Sequence, residues 1–214
     1  MIRTDTFCQC WAHIDYSFNV AIIMLMSFGS IERYLLVVHR NVVQRHVIIM
    51  HYLPIVLCIL YPFLLYLVLI FFYPCVNRFN FAMITCGGPC YLFETVASTL
   101  DQFVDIGLPL SSGAVANAML FIQVLRQKRR MKIQRMWTRN RRLILQLLSL
   151  VLLHSLIWFP MLITTLIMLY SSSLSQPWLV QLNIDILPNG IYIVILLQPF
   201  ISMLSLPEVW PRSV

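Results

Sequence analysis

The sequence predicts an all-α protein that crosses a membrane five times, and composition, apolar stretch length and charge placement lead to this prediction. The chain has 214 residues, of which 60% are hydrophobic and only 11% are Asp, Glu, Lys or Arg. A soluble domain carries about 25% charged residues, and it could not remove so much apolar surface from water. The net charge of +7 is unevenly spread, because nine of the 15 basic residues lie between Arg126 and Arg142. We therefore expect a helical membrane protein.

Five apolar stretches are each long enough to cross the hydrocarbon core of a bilayer, which needs about 20 helical residues. Four of these stretches contain proline, which bends a helix and is tolerated where neighbouring helices satisfy the freed backbone groups. We expect bends at Pro109, Pro160 and Pro199. The predicted spans, within one transmembrane domain over residues 1–214, are residues 11–37, 48–72, 103–125, 143–170 and 180–204.

The connecting segments alternate in charge, and this alternation predicts the orientation of the chain. Segments 38–47 and 126–142 are basic, and basic loops lie on the cytoplasmic side. Segments 73–102 and 171–178 carry almost no basic residues and are predicted to be extracellular. The amino terminus is then outside and the carboxyl terminus inside, in a multi-pass protein of the plasma membrane. The basic segments are expected to contact lipid headgroups, and nucleic-acid binding is not expected because spans closely flank them.

The sequence contains no motif that indicates an enzyme, a cofactor or a metal. It has no Gly-rich phosphate loop, no His-Glu-x-x-His, and no Ser-His-Asp set on one side of the membrane. The pair Cys86 and Cys90 has metal-like spacing, but no histidine or second cysteine pair supports a metal site. Five of the six cysteines fall on the predicted outer side, where disulfides persist.

The first span carries functional groups at both ends. Glu32-Arg33-Tyr34 closes it, and 25 residues separate Cys8 from Arg33, which is about 37 Å of helix. A charged pair is costly in lipid and is expected at a membrane face. One helical face is predicted to point into the bundle, and its members are Asp15, Asn19, Ile22, Met26, Gly29 and Arg33. A buried Asp15 carboxylate is costly unless a cation meets it.

Five motifs, in order and at matching depths, give the chain a resemblance to the rhodopsin-like family of G-protein-coupled receptors, beginning at that family's third helix. Gln198 and Ser202 depart from the family's Asn-Pro-x-x-Tyr. The resemblance implies five helices of a seven-helix receptor bundle, so we expect the chain to be a fragment that lacks the first two. The motifs are Cys8, Glu32-Arg33-Tyr34, Pro109, Trp158-Phe159-Pro160 and Gln198-Pro199-Phe200-Ile201-Ser202.

The resemblance also implies a ligand site in the outer half of the bundle. Asp15 matches the aspartate that pairs with a ligand ammonium, and Tyr192 matches the tyrosine that hydrogen-bonds it. Asn19 is assigned to the same site, and Trp158 resembles the family's ligand-sensing side chain. The implied ligand is an extracellular amine, or a peptide with a basic group. A structural carboxylate with no ligand role is the alternative for Asp15.

At the inner end, the resemblance implies a switch formed by Glu32, Arg33 and Tyr34. Arg33 is expected to be paired with its neighbour Glu32 at rest, and on release to contact a heterotrimeric G protein. At the outer end, a disulfide between Cys8 and Cys90 is favoured, with Cys86 as the other candidate partner. A second bridge is expected among Cys10, Cys75 and Cys86.

Two other interpretations stay open on the sequence alone. A piece of a transporter or channel would also explain an aspartate among proline-broken helices, but it explains neither the spacing from Cys8 to Arg33 nor the Trp158-Phe159-Pro160 motif. A truncated receptor product that does not signal is the other interpretation.

Overall fold

The computed structural model describes residues 4–38, 45–77, 79–81, 86–130, 134–170 and 177–204. These residues form an all-α structure of five long helices, with no β-strand among them. We name the helices in chain order. They are α1 (Asp5–Val38), α2 (Ile48–Phe72), α3 (residues 95–130), α4 (Gln134–Tyr170) and α5 (residues 177–204).

Three of the helices contain π-helical turns, in which the backbone bonds reach one residue further than in an α-helix. In α2 these turns are Ile48–Tyr52 and Val68–Phe72, and in α5 the turn is Leu182–Ile186. In α3 the π segment Asp101–Gly107 lies just before Pro109. Proline has no N–H to donate and its ring clashes with the carbonyl four residues earlier, so a wider turn is a natural way to continue this helix.

Four helical segments are long and apolar enough to span a membrane: Asp5–Val38, Ile48–Phe72, Thr95–Gln123 and Val151–Met168. In α5 the corresponding apolar segment is shorter, Leu187–Leu197, when only described residues are counted. Helix α3 begins at Thr95, eight residues before the start predicted from the sequence. Asp101 and Gln102 are therefore helical and buried, whereas the sequence placed them in a loop.

One apolar core joins all five helices. It includes Val20 of α1, Tyr66 of α2, Ile106 of α3, Trp158 of α4 and Ile191 of α5, each at most 7% exposed. Large apolar side chains elsewhere on α2, α3 and α4 are exposed, as expected for surfaces that face lipid. Helix α1 contacts both α2 and α3 extensively and therefore lies centrally in the described bundle.

Small and polar residues bring α1 and α3 into close contact. Gly113 packs against the backbone of Ser27, where an added Cβ would lie 3.1 Å from the Ser27 Cα. The Ser27 and Ser112 hydroxyl oxygens are 2.9 Å apart. Asn117 donates to the Ser30 hydroxyl over 2.9 Å. Small residues and interhelical hydrogen bonds are the usual means of joining helices in a membrane, where water does not drive association.

The most buried residues of α1 differ from the predicted face, although Asp15 and Met26 of that face do contact the interior of the bundle. Its buried residues include Ala12, Val20, Ile23 and Ser27, whereas Gly29 of the predicted face has no atom of a neighbour within 4 Å of an added Cβ. Helix α1 packs most closely on α3 where its side chains are small. The spacing of polar residues does not reveal where those small side chains are needed.

Two disulfides, Cys8–Cys86 and Cys75–Cys90, hold the segment between α2 and α3 against the bundle. We call this the disulfide end of the bundle, and the opposite end the Arg33 end. The favoured pairing of Cys8 with Cys90 is therefore wrong, and Cys86 is the partner, with a Cα–Cα distance of 5.9 Å. Cys10 is free and exposed, and Cys58 is a free thiol in α2.

Local backbone geometry explains the observed pairing. Cys86, Gly87 and Gly88 all have positive φ, at 54°, 82° and 82°, so the chain reverses here in a left-handed turn that favours glycine. Asn77, just after α2, accepts a hydrogen bond from the Cys90 N–H over 2.8 Å. This bond holds Cys90 beside the end of α2, next to Cys75, and leaves Cys86 to bridge to α1.

Candidate functional site

Asp15, Asn19 and Tyr192 meet between α1 and α5. Tyr192 donates a hydrogen bond to Oδ1 of Asp15 over 3.1 Å. The amide of Asn19, one turn along α1, donates to the same oxygen over 3.2 Å and to the Asp15 carbonyl over 2.8 Å. The carboxylate thus receives two neutral donors, neither of which cancels its charge.

Aromatic side chains and the disulfide-linked segment surround this site. Tyr16, the neighbour of Asp15, packs on Tyr66 of α2 with ring centroids 5.8 Å apart. A Cβ added at Gly88 would lie 3.6 Å from the Tyr16 hydroxyl. The segment after α2 therefore passes beside Tyr16, and the positive φ of Gly88 explains why glycine stands at this position.

Trp158 lies in the core below this site, 6% exposed. A small cavity with room for about one water molecule lies nearby in the bundle. His154, one turn before Trp158 and 4% exposed, lines it together with α1 and α3. The lining residues are Ile23, Met26, Ser27, Pro109, Leu110, Gly113, Val151 and His154.

Helices α4 and α5 are joined by a polar contact that sequence reasoning missed. The Asn183 amide donates to the hydroxyl oxygens of Thr164, over 3.0 Å, and Thr165, over 2.9 Å. Thr164 in turn donates to the Pro160 carbonyl over 2.9 Å. This carbonyl lies at the predicted bend of α4, so the bend is tied to the π segment of α5. An asparagine in a predicted span was the available signal.

At the Arg33 end, Glu32 bonds to α2 and not to its neighbour. The His51 Nδ1 and the Glu32 Oε1 are 2.5 Å apart. The expectation that Glu32 pairs with Arg33 is therefore wrong. Adjacent residues on a helix point about 100° apart and do not face each other, so Glu32 reaches α2 while the Arg33 side chain lies on another face. Tyr34 is half-buried beside them.

A second group of acidic residues, also missed, lies in the α3 π segment. Asp101 and Asp105 are 4% and 3% exposed, and Tyr66 donates a hydrogen bond to Asp101 over 2.8 Å. Two aspartates four residues apart near the end of an apolar stretch are the signal in the sequence, but the predicted span begins only after Asp101. The side chains of Gln198 and Ser202 lie outside the described part of the structure.

Comparison with known proteins agrees with this architecture. A family model described as "7 transmembrane receptor (rhodopsin family)" matches residues 3–201, nearly the whole chain. The chain belongs to this family of membrane receptors, and its several apolar helices make it a multi-pass membrane protein. Comparison with curated proteins and with solved structures gave no match.

Proposed function

We propose that the protein is a receptor whose disulfide end faces the cell exterior, in the plasma membrane, and whose Asp15 binds a cationic ligand. The single observation that carries this proposal is the Asp15 carboxylate, which accepts hydrogen bonds from the neutral side chains of Tyr192 and Asn19 and has no basic partner among the described residues. A partly buried charge without a counter-charge is costly. A ligand ammonium would supply that charge, and Tyr192 would keep the carboxylate oriented.

Signal transmission would start at this contact. Asp15 is on α1 and Tyr192 is on α5, so a ligand that binds the Asp15 carboxylate alters a hydrogen bond between two helices. Trp158 packs in the same core as residues of both helices, and the Pro160 carbonyl is tied to α5 through Thr164 and Asn183. These contacts supply a physical connection between the ligand site and the bend of α4.

At the Arg33 end, the proposed partner is a heterotrimeric G protein. Arg33 is a permanently charged group with five N–H donors, which suits it to bind carbonyl groups of a partner. Its neighbour Glu32 is engaged by His51, so the guanidinium does not have to leave a carboxylate before it binds. This makes the Arg33 end closer to a binding-competent state than an Arg–Glu pair would be.

The ligand proposal is tested in cells that express the full chain, with arylethylamines and short basic peptides as probes. Asp15→Asn removes the charge and keeps the shape, so a cationic probe should lose at least about tenfold in affinity, or 1.4 kcal/mol. Asp5→Asn is the matched control, because Asp5 is an exposed acid on the same helix. A cationic probe that binds Asp15→Asn as well as it binds the wild type would assign Asp15 a structural role only.

A further inference from the structure

At the Arg33 end, a polar contact joins α1 to α2. The Nδ1 of His51 and the Oε1 of Glu32 are 2.5 Å apart, although the two residues are 19 positions apart in the chain. The His51 side chain is 37% exposed and the Glu32 side chain is 18% exposed. Both groups are therefore close enough to solvent to exchange protons with it, which distinguishes this contact from the polar groups buried deeper in the bundle.

The local structure of α2 explains how His51 reaches α1. His51 lies in the π-helical turn Ile48–Tyr52, at the beginning of α2. A π-helical turn takes one residue more than an α-helical turn, so it changes the directions in which the neighbouring side chains point. The His51 ring also packs edge-on against the Tyr52 ring, with centroids 4.9 Å apart. Such turns are frequent at functional sites, and this one carries the residue that contacts Glu32.

The contact determines where the Glu32 carboxylate lies relative to Arg33. While His51 holds the carboxylate on α2, the Arg33 guanidinium has no carboxylate partner among the described residues. Adjacent helical residues point about 100° apart, but Glu and Arg both have long, flexible side chains. A carboxylate released from His51 is therefore free to turn toward the guanidinium, which attracts it.

The strength of the contact depends on the charge of the histidine. Histidine is the side chain whose charge ordinarily changes between about pH 5 and pH 8. When protonated, His51 offers Glu32 an N–H donor and a full opposite charge. When neutral, it offers at most a hydrogen bond, and only in the tautomer that carries the proton on Nδ1. The contact is thus an ion pair at low pH and a weaker polar contact at high pH.

The other titratable side chains around this contact come from both helices. Arg33 and Tyr34 follow Glu32 on α1, and Arg45 and His46 precede α2. Arginine and tyrosine side chains do not ordinarily change charge between about pH 5 and pH 8. His46 does titrate in this range as a histidine, but it is exposed and its side chain does not contact Glu32 in the described structure. It therefore serves as the control.

Helix α3, which also packs against α1 at this end, presents neutral groups where its side chains are described. Asn117 donates to the Ser30 hydroxyl over 2.9 Å, and neither side chain titrates. Further along α3, Arg126 and Lys128 are permanently basic residues whose side chains lie outside the described part of the structure. Of the described side chains that contact Glu32, His51 is thus the one whose charge responds to pH near neutrality.

We propose that His51 is a positioning residue for Arg33 and makes signalling depend on the proton concentration on its side of the membrane. Protonated His51 holds the Glu32 carboxylate on α2 and leaves the Arg33 guanidinium to the G protein. Neutral His51 releases the carboxylate, which then competes with the G protein for Arg33. The proposal rests on the proposed function, because it requires Arg33 to bind a G protein. Since the pair is partly exposed, the effect should not exceed about fivefold.

The first measurement needs no G protein. A double-mutant cycle of His51→Gln and Glu32→Gln, from unfolding of the purified full chain in detergent, gives the coupling of the two side chains. Expressed as a ratio of equilibrium constants, this coupling should be about two- to fivefold at about pH 5.5 and should approach one at about pH 8. The matched cycle of His46→Gln and Glu32→Gln should give a ratio near one at both pH values. Equal coupling of His51 and Glu32 at both pH values would overturn the proposal.

The second measurement is nucleotide exchange on a heterotrimeric G protein, in membranes that contain the full chain and an arylethylamine probe. Each value is divided by that of His51→Gln at the same pH, which removes the pH dependence of the G protein itself. The wild-type ratio should fall from at most about fivefold at about pH 5.5 to about one at about pH 8. His51→Lys, which stays positively charged, should keep the high ratio at both pH values, and His46→Gln should follow the wild type.

The two measurements separate failure of this proposal from failure of the proposed function. If the wild type stimulates exchange but its ratio to His51→Gln is the same at both pH values, His51 has a structural role only, and the proposed function is unaffected. If the wild type stimulates no exchange at either pH, the proposed function is contradicted, and the role of His51 in positioning Arg33 is contradicted with it.

Discussion

The contact between Gly113 and Ser27 makes the packing of α1 on α3 directly testable. In Gly113→Ala, the new Cβ would meet the Ser27 Cα at 3.1 Å and its side chain at 3.3 Å. The nearest atom is backbone, so the two helices must separate by a few tenths of an ångström. Overpacking of this kind costs about 1–3 kcal/mol. Gly29→Ala, on α1 itself, would meet nothing within 4 Å.

Both variants replace glycine by alanine within a helix, so they share the same gain in helix propensity and their difference isolates the packing cost. Replacing glycine by alanine inside a helix stabilises it by about 0.5–1 kcal/mol. Gly29→Ala should therefore raise the free energy of unfolding by about that amount. Gly113→Ala should fall below Gly29→Ala by the overpacking term, about 1–3 kcal/mol. Unfolding of both variants of the full chain in the same detergent measures this difference. Equal stability of the two variants would refute the close contact of α1 with α3.

Three further predictions concern cross-links and polar contacts. Alkylation followed by intact-mass measurement should modify two cysteines in the folded, unreduced protein and all six after reduction. If four cysteines were modified before reduction, one of the two disulfides would be absent. Asn183→Leu should lower the free energy of unfolding by about 0.5–1.5 kcal/mol. Gln181→Leu, which changes an exposed residue of the same helix, should leave it unchanged. Equal effects of the two changes would contradict the hydrogen bonds from Asn183 to α4. A double-mutant cycle of His51→Ala and Glu32→Gln should give a coupling free energy below about 1 kcal/mol. This coupling should weaken in salt because the His51 side chain is 37% exposed. A coupling free energy of zero at low salt would contradict the contact between His51 and Glu32.

The sequence could predict the helical class and the approximate position of the helices because apolar length and charge are local properties. The start of α3 was missed for an equally physical reason. Asp101 and Gln102 are polar, and polar residues beside an apolar stretch indicate a loop unless a partner buries them. That partner, Tyr66 of α2, is 35 residues away along the chain.

Contacts between helices were predictable only where a family pattern supplied them. The expectation that Tyr192 bonds to Asp15 came from resemblance, since no periodicity relates residues 177 positions apart. The partner of Cys8 was not predictable from spacing, because the backbone conformation at Cys86 decides it. The bond from Glu32 to His51 could not be predicted from adjacency, because neighbouring residues of a helix point in different directions and the true partner lies on another helix.

We propose that this receptor passes a signal to a G protein through the Arg33 end. Nucleotide exchange on a heterotrimeric G protein, measured in membranes that contain the full chain and an amine it binds, tests it most directly. Exchange should be stimulated by the wild type, should persist in the matched variant Arg45→Ala, and should be lost in Arg33→Ala while that variant still binds the amine. Undiminished exchange in Arg33→Ala, or none in the wild type, would contradict the claim.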